Sequence, residues 1–356
     1  SMIAIVLGTR PEIIKMSPII RECETIGADY FILHTGQHYS YEMDQTFFKE
    51  LELPKSKYNL DVGSGTHADQ TGRIMAGIER ILMSEQPDVV LVQGDTNTVL
   101  AGALAASKLH IKVGHVEAGL RSFDRTMPEE INRIIADHIS DHLLAPTETS
   151  QQNLLHEGID AAKINVTGNT VVDAVHQNLE ISERKLDVLD TMGLKSGKYL
   201  LVTAHRAENV DVKARLNGIL SGLTMIRHEY SLPVIFPMHP RTAKKVQEFG
   251  ISLEGIVVTQ PLGYLDFLQL ESNAKLILTD SGGLQEESCI LGVPCATLRD
   301  NTERPETVEV GANVLTGTDP KRIFQSVQSI WDRKCMWNNP FGNGKSAERI
   351  VKIINS

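Results

Sequence analysis

Short apolar runs alternate along this chain with longer stretches in which apolar positions recur every three or four residues. "MIAIVLG", "DYFILHTG", "PDVVLVQGD", "IKVGHVEAG" and "HLLAPT" have the length and β-branched content of strands. Each gap between them has the length of a helix. Apolar runs of this kind, separated by helices, predict βα units on a parallel sheet buried on both faces. The alternation pauses across "KINVTGNTVVDAVHQNLEISERKLDVLDTMGLKSG", which reads as a strand, a helix and a charged stretch. It restarts with "KYLLVTAHR", "LPVIFPMHP", "IVVTQP", "AKLILTDSGG" and "VPCATLRD". Two series predict an α/β protein of two Rossmann-like domains, residues 2–170 and 171–336. A terminal segment, 337–356, carries the helix "GKSAERIVKIIN", whose Ile350, Val351, Ile353 and Ile354 must pack on another element, expected to be the first domain.

Composition changes this picture little. A length of 356 residues exceeds what one core usually serves, and 41% apolar with 22% charged residues is ordinary for a soluble globular protein. The formal net charge of -10 argues against nucleic acid or an anionic membrane as partner. No stretch is long and apolar enough to span a bilayer. Ser1 ahead of Met2 is set aside. The four cysteines form no CxxC pair, and Cys289 and Cys295 lie in apolar runs. Those two read as buried small hydrophobes, and all four as reduced thiols of a cytoplasmic protein.

In open α/β sheets ligands gather at the carboxyl ends of the strands, so the residues just after each strand matter most. After the first strand, "GTRPEIIKM" places Arg10 and Lys15 near a helix start, a favourable site for an anion. After "PDVVLVQ", Asp95 or Thr96 is positioned to cap the next helix. Glu117 follows "KVGHV" directly. "TMPEEINR" then fits a capping box from Thr126 to Glu129, with Glu129 and Arg133 spaced as an i,i+4 pair. Were Asp95, Glu117 and Glu129 to converge, three carboxylates would suit general acid–base chemistry. Arg121 and Arg125 are left as unassigned charges.

In the second series His205 and Arg206 follow a strand. "TDSGGLQEES" places Ser281, Gly282 and Gly283 at a helix start, where backbone N–H groups can approach a diphosphate. Glu287 lies one turn further, where a carboxylate could take two ribose hydroxyls, and Arg304 in "LRDNTERPE" could add a charge-assisted contact. Other motifs fail. No GxGxxG marks a nicotinamide site, "GNGKS" lacks the first glycine and strand of a P-loop, and His138 with His142 has no third metal ligand. Neither a cofactor nor a metal is expected.

Taken together, "GTRPEIIKM", "VQGDTNT", "HVEAGLRS", "PEEINR", "TAHRAEN", "TDSGGLQEE", "RDNTERPE" and "NPFGNGKSAERI" resemble the non-hydrolysing UDP-N-acetylglucosamine 2-epimerases from Met2 to the end of the chain. The resemblance implies a GT-B architecture with a deep interdomain cleft, no cofactor and a homodimer. It implies interconversion of UDP-GlcNAc and UDP-ManNAc through loss of UDP to 2-acetamidoglucal and its re-addition, supplying ManNAc-type sugars for cell-surface glycans. By that resemblance Asp95, Glu117 and Glu129 are acid–base carboxylates and His205 a catalytic histidine. Arg10 and Lys15 face the diphosphate, Ser281, Gly282, Gly283, Glu287 and Arg304 contact UDP, and Phe267 lies beside uracil. Gln37, Glu130, Arg206 and His239 stand where some relatives bind a second, activating UDP-GlcNAc. Three rivals share these features: a GT-B glycosyltransferase using UDP-sugars, a hydrolysing epimerase releasing free ManNAc and UDP, and a UDP-sugar sensor without turnover.

Overall fold

The computed structural model describes residues 1–356. The chain forms two compact units: Ser1–Gln177 with Phe341–Ser356, and Asn178–Pro340. The division falls inside the helix Thr170–Lys185 rather than at its start. Residues 337–340 accordingly belong to the second unit.

The first unit holds seven parallel strands: β1 (Met2–Leu7), β2 (Asp29–His34), β3 (Tyr58–Asn59), β4 (Val89–Gln93), β5 (Lys112–Val116), β6 (His142–Ala145) and β7 (Ile164–Val166). Their order is β3-β2-β1-β4-β5-β6-β7. The chain moves to one side of β1 and returns on the other at β4, so β1 and β4 frame a topological switch point. Val6, Leu33, Val90 and Val92 pack on Ile74, Ile78 and Leu82 of one helix and the small-residue helix Asn97–Lys108. Each fully buried Leu, Ile or Val contributes about 1.5–3 kcal/mol of transfer free energy. Thr9, Thr66, Thr96 and Thr147 each cap the helix that follows, accepting the N–H three residues on.

The terminal helix Ser346–Ile354 packs on the helix Arg10–Ile26 of the same unit, burying Ile350, Val351 and Ile354. It has no side-chain cap of its own. Asp173 supplies one, accepting the N–H groups of Ser346 at 3.3 Å and Ala347 at 2.9 Å. "GNGKS" therefore presents its helix N-terminus to a carboxylate of the protein.

At Gly119, just after β5, φ is +86° and an added Cβ would lie 2.3 Å from the Ser150 carbonyl oxygen. Gly119→Ala is expected to cost about 2–3 kcal/mol of stability. Equilibrium denaturation should show it as a lower midpoint at unchanged slope.

The second unit holds six parallel strands: β8 (Leu200–Thr203), β9 (Val234–Pro237), β10 (Ile256–Thr259), β11 (Leu276–Thr279), β12 (Cys295–Thr297) and β13 (Asn313–Leu315). Their order, β10-β9-β8-β11-β12-β13, repeats the first pattern, with its switch point between β8 and β11. One face buries Leu200, Val202, Phe236 and Leu278 against Leu216, Ile219, Leu223 and Ile323. The other buries Leu201, Ile235 and Ile277 with Tyr199, Leu270 and Val293. No helix is long and apolar enough to cross a membrane.

Candidate active site

In the first unit the chemistry collects where β1, β4 and β5 end. Glu117 follows β5 with φ +70°, a left-handed backbone that a non-glycine residue adopts at a cost. Lys15, one turn into its helix, places its ammonium 3.0 Å from both Glu117 oxygens. The Gln93 side-chain amide, at the end of β4, donates to the same carboxylate. Three elements thus converge on one acidic side chain that is 9% exposed.

Asp95 stands on the turn after β4. Thr96, not Asp95, caps the helix Asn97–Lys108. Asp95 accepts instead from Arg133 at 2.7 Å, while Asn132 donates to the Asp95 carbonyl at 2.9 Å. The helix Pro128–Ile139 therefore grips this turn with two consecutive residues.

That helix corrects two expectations. Its N-cap position is Met127, without a side-chain cap, and the Thr126 hydroxyl donates to Asp124 at 2.6 Å. No capping box joins Thr126 to Glu129. Arg133 pairs with Asp95 and Glu130 rather than with Glu129. Glu130 is buried and accepts the N–H groups of Ser122 and Phe123, holding the preceding loop. Glu129 is exposed, on the helix face of Arg133 and one turn nearer the N-terminus.

Two buried groups behind this cluster carry no signal in their own sequence neighbourhood. Glu12 accepts from Gly8 N–H, the Thr9 hydroxyl and the Thr96 hydroxyl, joining the β1 turn to the β4 turn. Burial pushes its carboxyl up to about 7 against those hydrogen bonds, with the Asp95 charge adding to the rise. His115, in β5, faces the Asp137 carboxylate with Nδ1 at 2.6 Å and the Gly94 carbonyl with Nε2 at 2.7 Å. Both neighbours are acceptors, so both ring nitrogens donate and the ring is an imidazolium. Burial opposes that charge, but Asp137 and the two hydrogen bonds hold the ring above its ordinary value. Arg121, left unassigned by the sequence, is buried against Asp137 at 2.7 Å and Glu157 at 2.8 Å. His138 likewise bonds Glu157, at 2.9 Å.

Arg10 opens its helix with Nε 3.0 Å from Asp44 Oδ1, its guanidinium over the Tyr39 and Phe47 rings. Gln37 is buried, its side-chain oxygen accepting from the Thr98 N–H and hydroxyl.

In the second unit the equivalent strand ends are those of β8 and β11. Asp280, fully buried after β11, accepts from the backbone N–H groups of His205 and Arg206 and from the Asn209 amide. This missed residue fixes the turn that carries His205. Its strand-end position beside β8 was the available signal. Ser281 occupies the N-cap of the helix Gly282–Leu291 without a side-chain cap. Gly282 and Gly283 open that helix, and Glu287 follows within it, half-buried. Arg304 pairs with Glu286 at 2.8 Å, and Arg206 lies 3.8 Å from Glu303. A pocket of about 450 Å³ is lined by His205, His239, Arg241, Leu262 and Phe267 among others. His239 also caps its own helix by accepting the Arg241 N–H. Among His, Cys, Asp and Glu, no group of three or more is arranged to hold a metal ion.

Two Rossmann-type units, each with its polar groups at the strand ends of a switch point, define a GT-B fold. The chain belongs to the UDP-N-acetylglucosamine 2-epimerase family, whose model matches residues 21–355. It is 58% identical to the UDP-N-acetylglucosamine 2-epimerase of Methanocaldococcus jannaschii, over 99% of this chain and 98% of that protein. The structure of the Methanocaldococcus jannaschii UDP-GlcNAc 2-epimerase superposes with a TM-score of 0.92, covering 100% of this chain and 99% of that one at 57% identity. A structure of the same enzyme in complex with UDP-GlcNAc and UDP superposes with a TM-score of 0.86 at 58% identity, again over 100% and 99%.

Proposed function

We propose that the chain interconverts UDP-GlcNAc and UDP-ManNAc. The observation that carries the reading is the Glu117–Lys15–Gln93 cluster beside the Asp95–Arg133 pair, in a chain so similar to an enzyme solved with UDP-GlcNAc and UDP. The hydrogen on sugar carbon 2 has no adjacent carbonyl to acidify it, so simple deprotonation is unfavourable. Anti elimination avoids this: a base takes that proton, the bond from carbon 1 to the diphosphate oxygen breaks, and its electrons leave with UDP. The resulting 2-acetamidoglucal regains UDP at carbon 1 and a proton on the opposite face of carbon 2.

Asp95, Glu117 and Glu129 are assigned the proton transfers and His205 a catalytic role on the second unit. Arg10 and Lys15 serve the diphosphate. Ser281, Gly282, Gly283, Glu287 and Arg304 hold UDP, with Phe267 against uracil. The helix N-terminus after Ser281, which carries no side-chain cap, suits the diphosphate because its dipole and first N–H groups favour an anion. The protein is assigned to the cytoplasm, where four free cysteines fit a reducing compartment, and to a homodimer, which sedimentation would test.

Proton NMR of UDP-GlcNAc with the protein in D2O tests the reaction. UDP-ManNAc deuterated at carbon 2 is the expected product. Free ManNAc with UDP, or unchanged sugar, would overturn the proposal. A second UDP-GlcNAc at Gln37, Glu130, Arg206 and His239 is further proposed to activate turnover. UDP-ManNAc consumed at full rate without added UDP-GlcNAc would sink that part.

A further inference from the structure

Glu271 lies on the helix Tyr264–Asn273, at 0% exposure, flanked by Leu270 and Ala274 of an apolar cluster. Neither of its carboxyl oxygens receives a hydrogen bond. Buried polar groups are almost always paired, and an unpaired carboxylate here would be prohibitively costly. The titratable groups facing it are Glu287, from the helix Gly282–Leu291, and the Cys295 thiol on β12, and neither is a cation. Glu287 lies within hydrogen-bond reach. Two carboxylates offer only acceptors to each other, so one must hold a proton for the pair to exist.

The buried partner is the one that holds it. Burial, with the Glu287 charge beside it, drives the Glu271 carboxyl well above the usual carboxylate range. As an acid, Glu271 has an O–H to give, and Glu287 supplies the acceptor that its surroundings otherwise lack.

We infer that Glu271 is a positioning residue for the nucleotide site, a neutral carboxylic acid whose proton is donated to Glu287 and fixes that carboxylate for the ribose hydroxyls. The inference rests on the proposed contact of Glu287 with UDP. It has a consequence for binding: once the shared proton is lost, two charges face each other in an apolar setting and Glu287 is driven from its place. UDP affinity should therefore fall as pH rises through the upper ionisation of the pair.

Calorimetric titration with UDP between about pH 6 and about pH 9 tests this on the full chain. Glu271→Gln keeps an N–H donor toward Glu287 and cannot ionise, so its affinity should hold where that of the parent falls. Glu271→Met removes the donor and should bind UDP about tenfold more weakly at the lower pH, the worth of one hydrogen bond to a charged group. The titration of UDP itself is common to all variants and cancels in the comparison. Glu271→Gln following the same decline as the parent would overturn the inference. Glu287→Gln separates the two layers. If it binds UDP as the parent does, the ribose contact itself is wrong. If it binds weakly while Glu271→Gln keeps the parent's pH profile, only the role of Glu271 fails.

Discussion

Glu117→Gln is expected to leave the fold and UDP binding in place while slowing epimerisation by about 10²–10⁴-fold, the usual worth of a general acid–base group. The amide keeps the shape of the carboxylate and can still accept from Lys15, so the lost quantity is the capacity to take or return a proton. The backbone supports this choice of residue. Glu117 holds φ at +70°, and such outliers persist where the surroundings over-determine them. Here the surroundings are Lys15 on two oxygens, Gln93 on one of them, and the paired strands β4, β5 and β6. The measurement is the rate of deuterium entry at carbon 2, followed beside net epimerisation. Deuterium entering at the parental rate would remove Glu117 from the proton transfers.

Asp137→Asn should be the most damaging single substitution away from the reacting groups, costing about 3–5 kcal/mol. Asp137 is fully buried and accepts from His115, from Gly119 N–H and from Arg121. Burial opposes its charge, yet His115 and Arg121 hold its carboxyl below the usual range. Without it, an imidazolium and a guanidinium remain buried with far less compensation. The loss depends on pH in a defined direction. The folded His115 titrates above its unfolded value near 6.5, so its contribution is complete below that pH and disappears as pH rises through the raised value. The variant gives up that proton sooner. The gap between parent and Asp137→Asn should therefore be widest near about pH 6 and narrow toward about pH 9. Urea denaturation across that range checks it, and a gap that widens with pH would contradict an imidazolium at His115.

Much of the architecture was readable because it rests on local signals. Strand-length apolar runs, threonine caps and helix-length gaps are properties of neighbouring residues, and they mark all but two strands. The exceptions, β3 and β13, are short edge strands of two and three residues, each without an apolar run of its own long enough to stand out from the loop around it. The strand ends also identified the turns on which Asp95, Glu117, His205 and Ser281 stand. What escaped was pairing across sequence distance. Glu12 acquires its meaning from Thr96, His115 from Asp137, Asp280 from the N–H of His205, and Glu271 from Glu287. Adjacent residues can mislead in the same way. Spacing favoured Glu129 as cap and partner of Arg133, whereas the helix turns Glu130 inward to Arg133 and the loop before it. Likewise the break in pattern near residue 170 marks where the helix Thr170–Lys185 begins, and the packing of its first half, with Asp173 holding the terminal helix, moves the division of units into its middle.

The terminal helix inverts the order in which this protein can be completed on a ribosome. Domains usually fold as they emerge, N-terminal first. Here the later unit is one continuous segment, Asn178–Pro340, and is fully synthesised before the earlier unit possesses its last piece, Phe341–Ser356. Until then the helix Arg10–Ile26 lacks the surface that Ile350, Val351 and Ile354 provide, and Asp173 lacks the N–H groups it accepts. A late frameshift or premature stop in the message would thus strike the half of the molecule translated first.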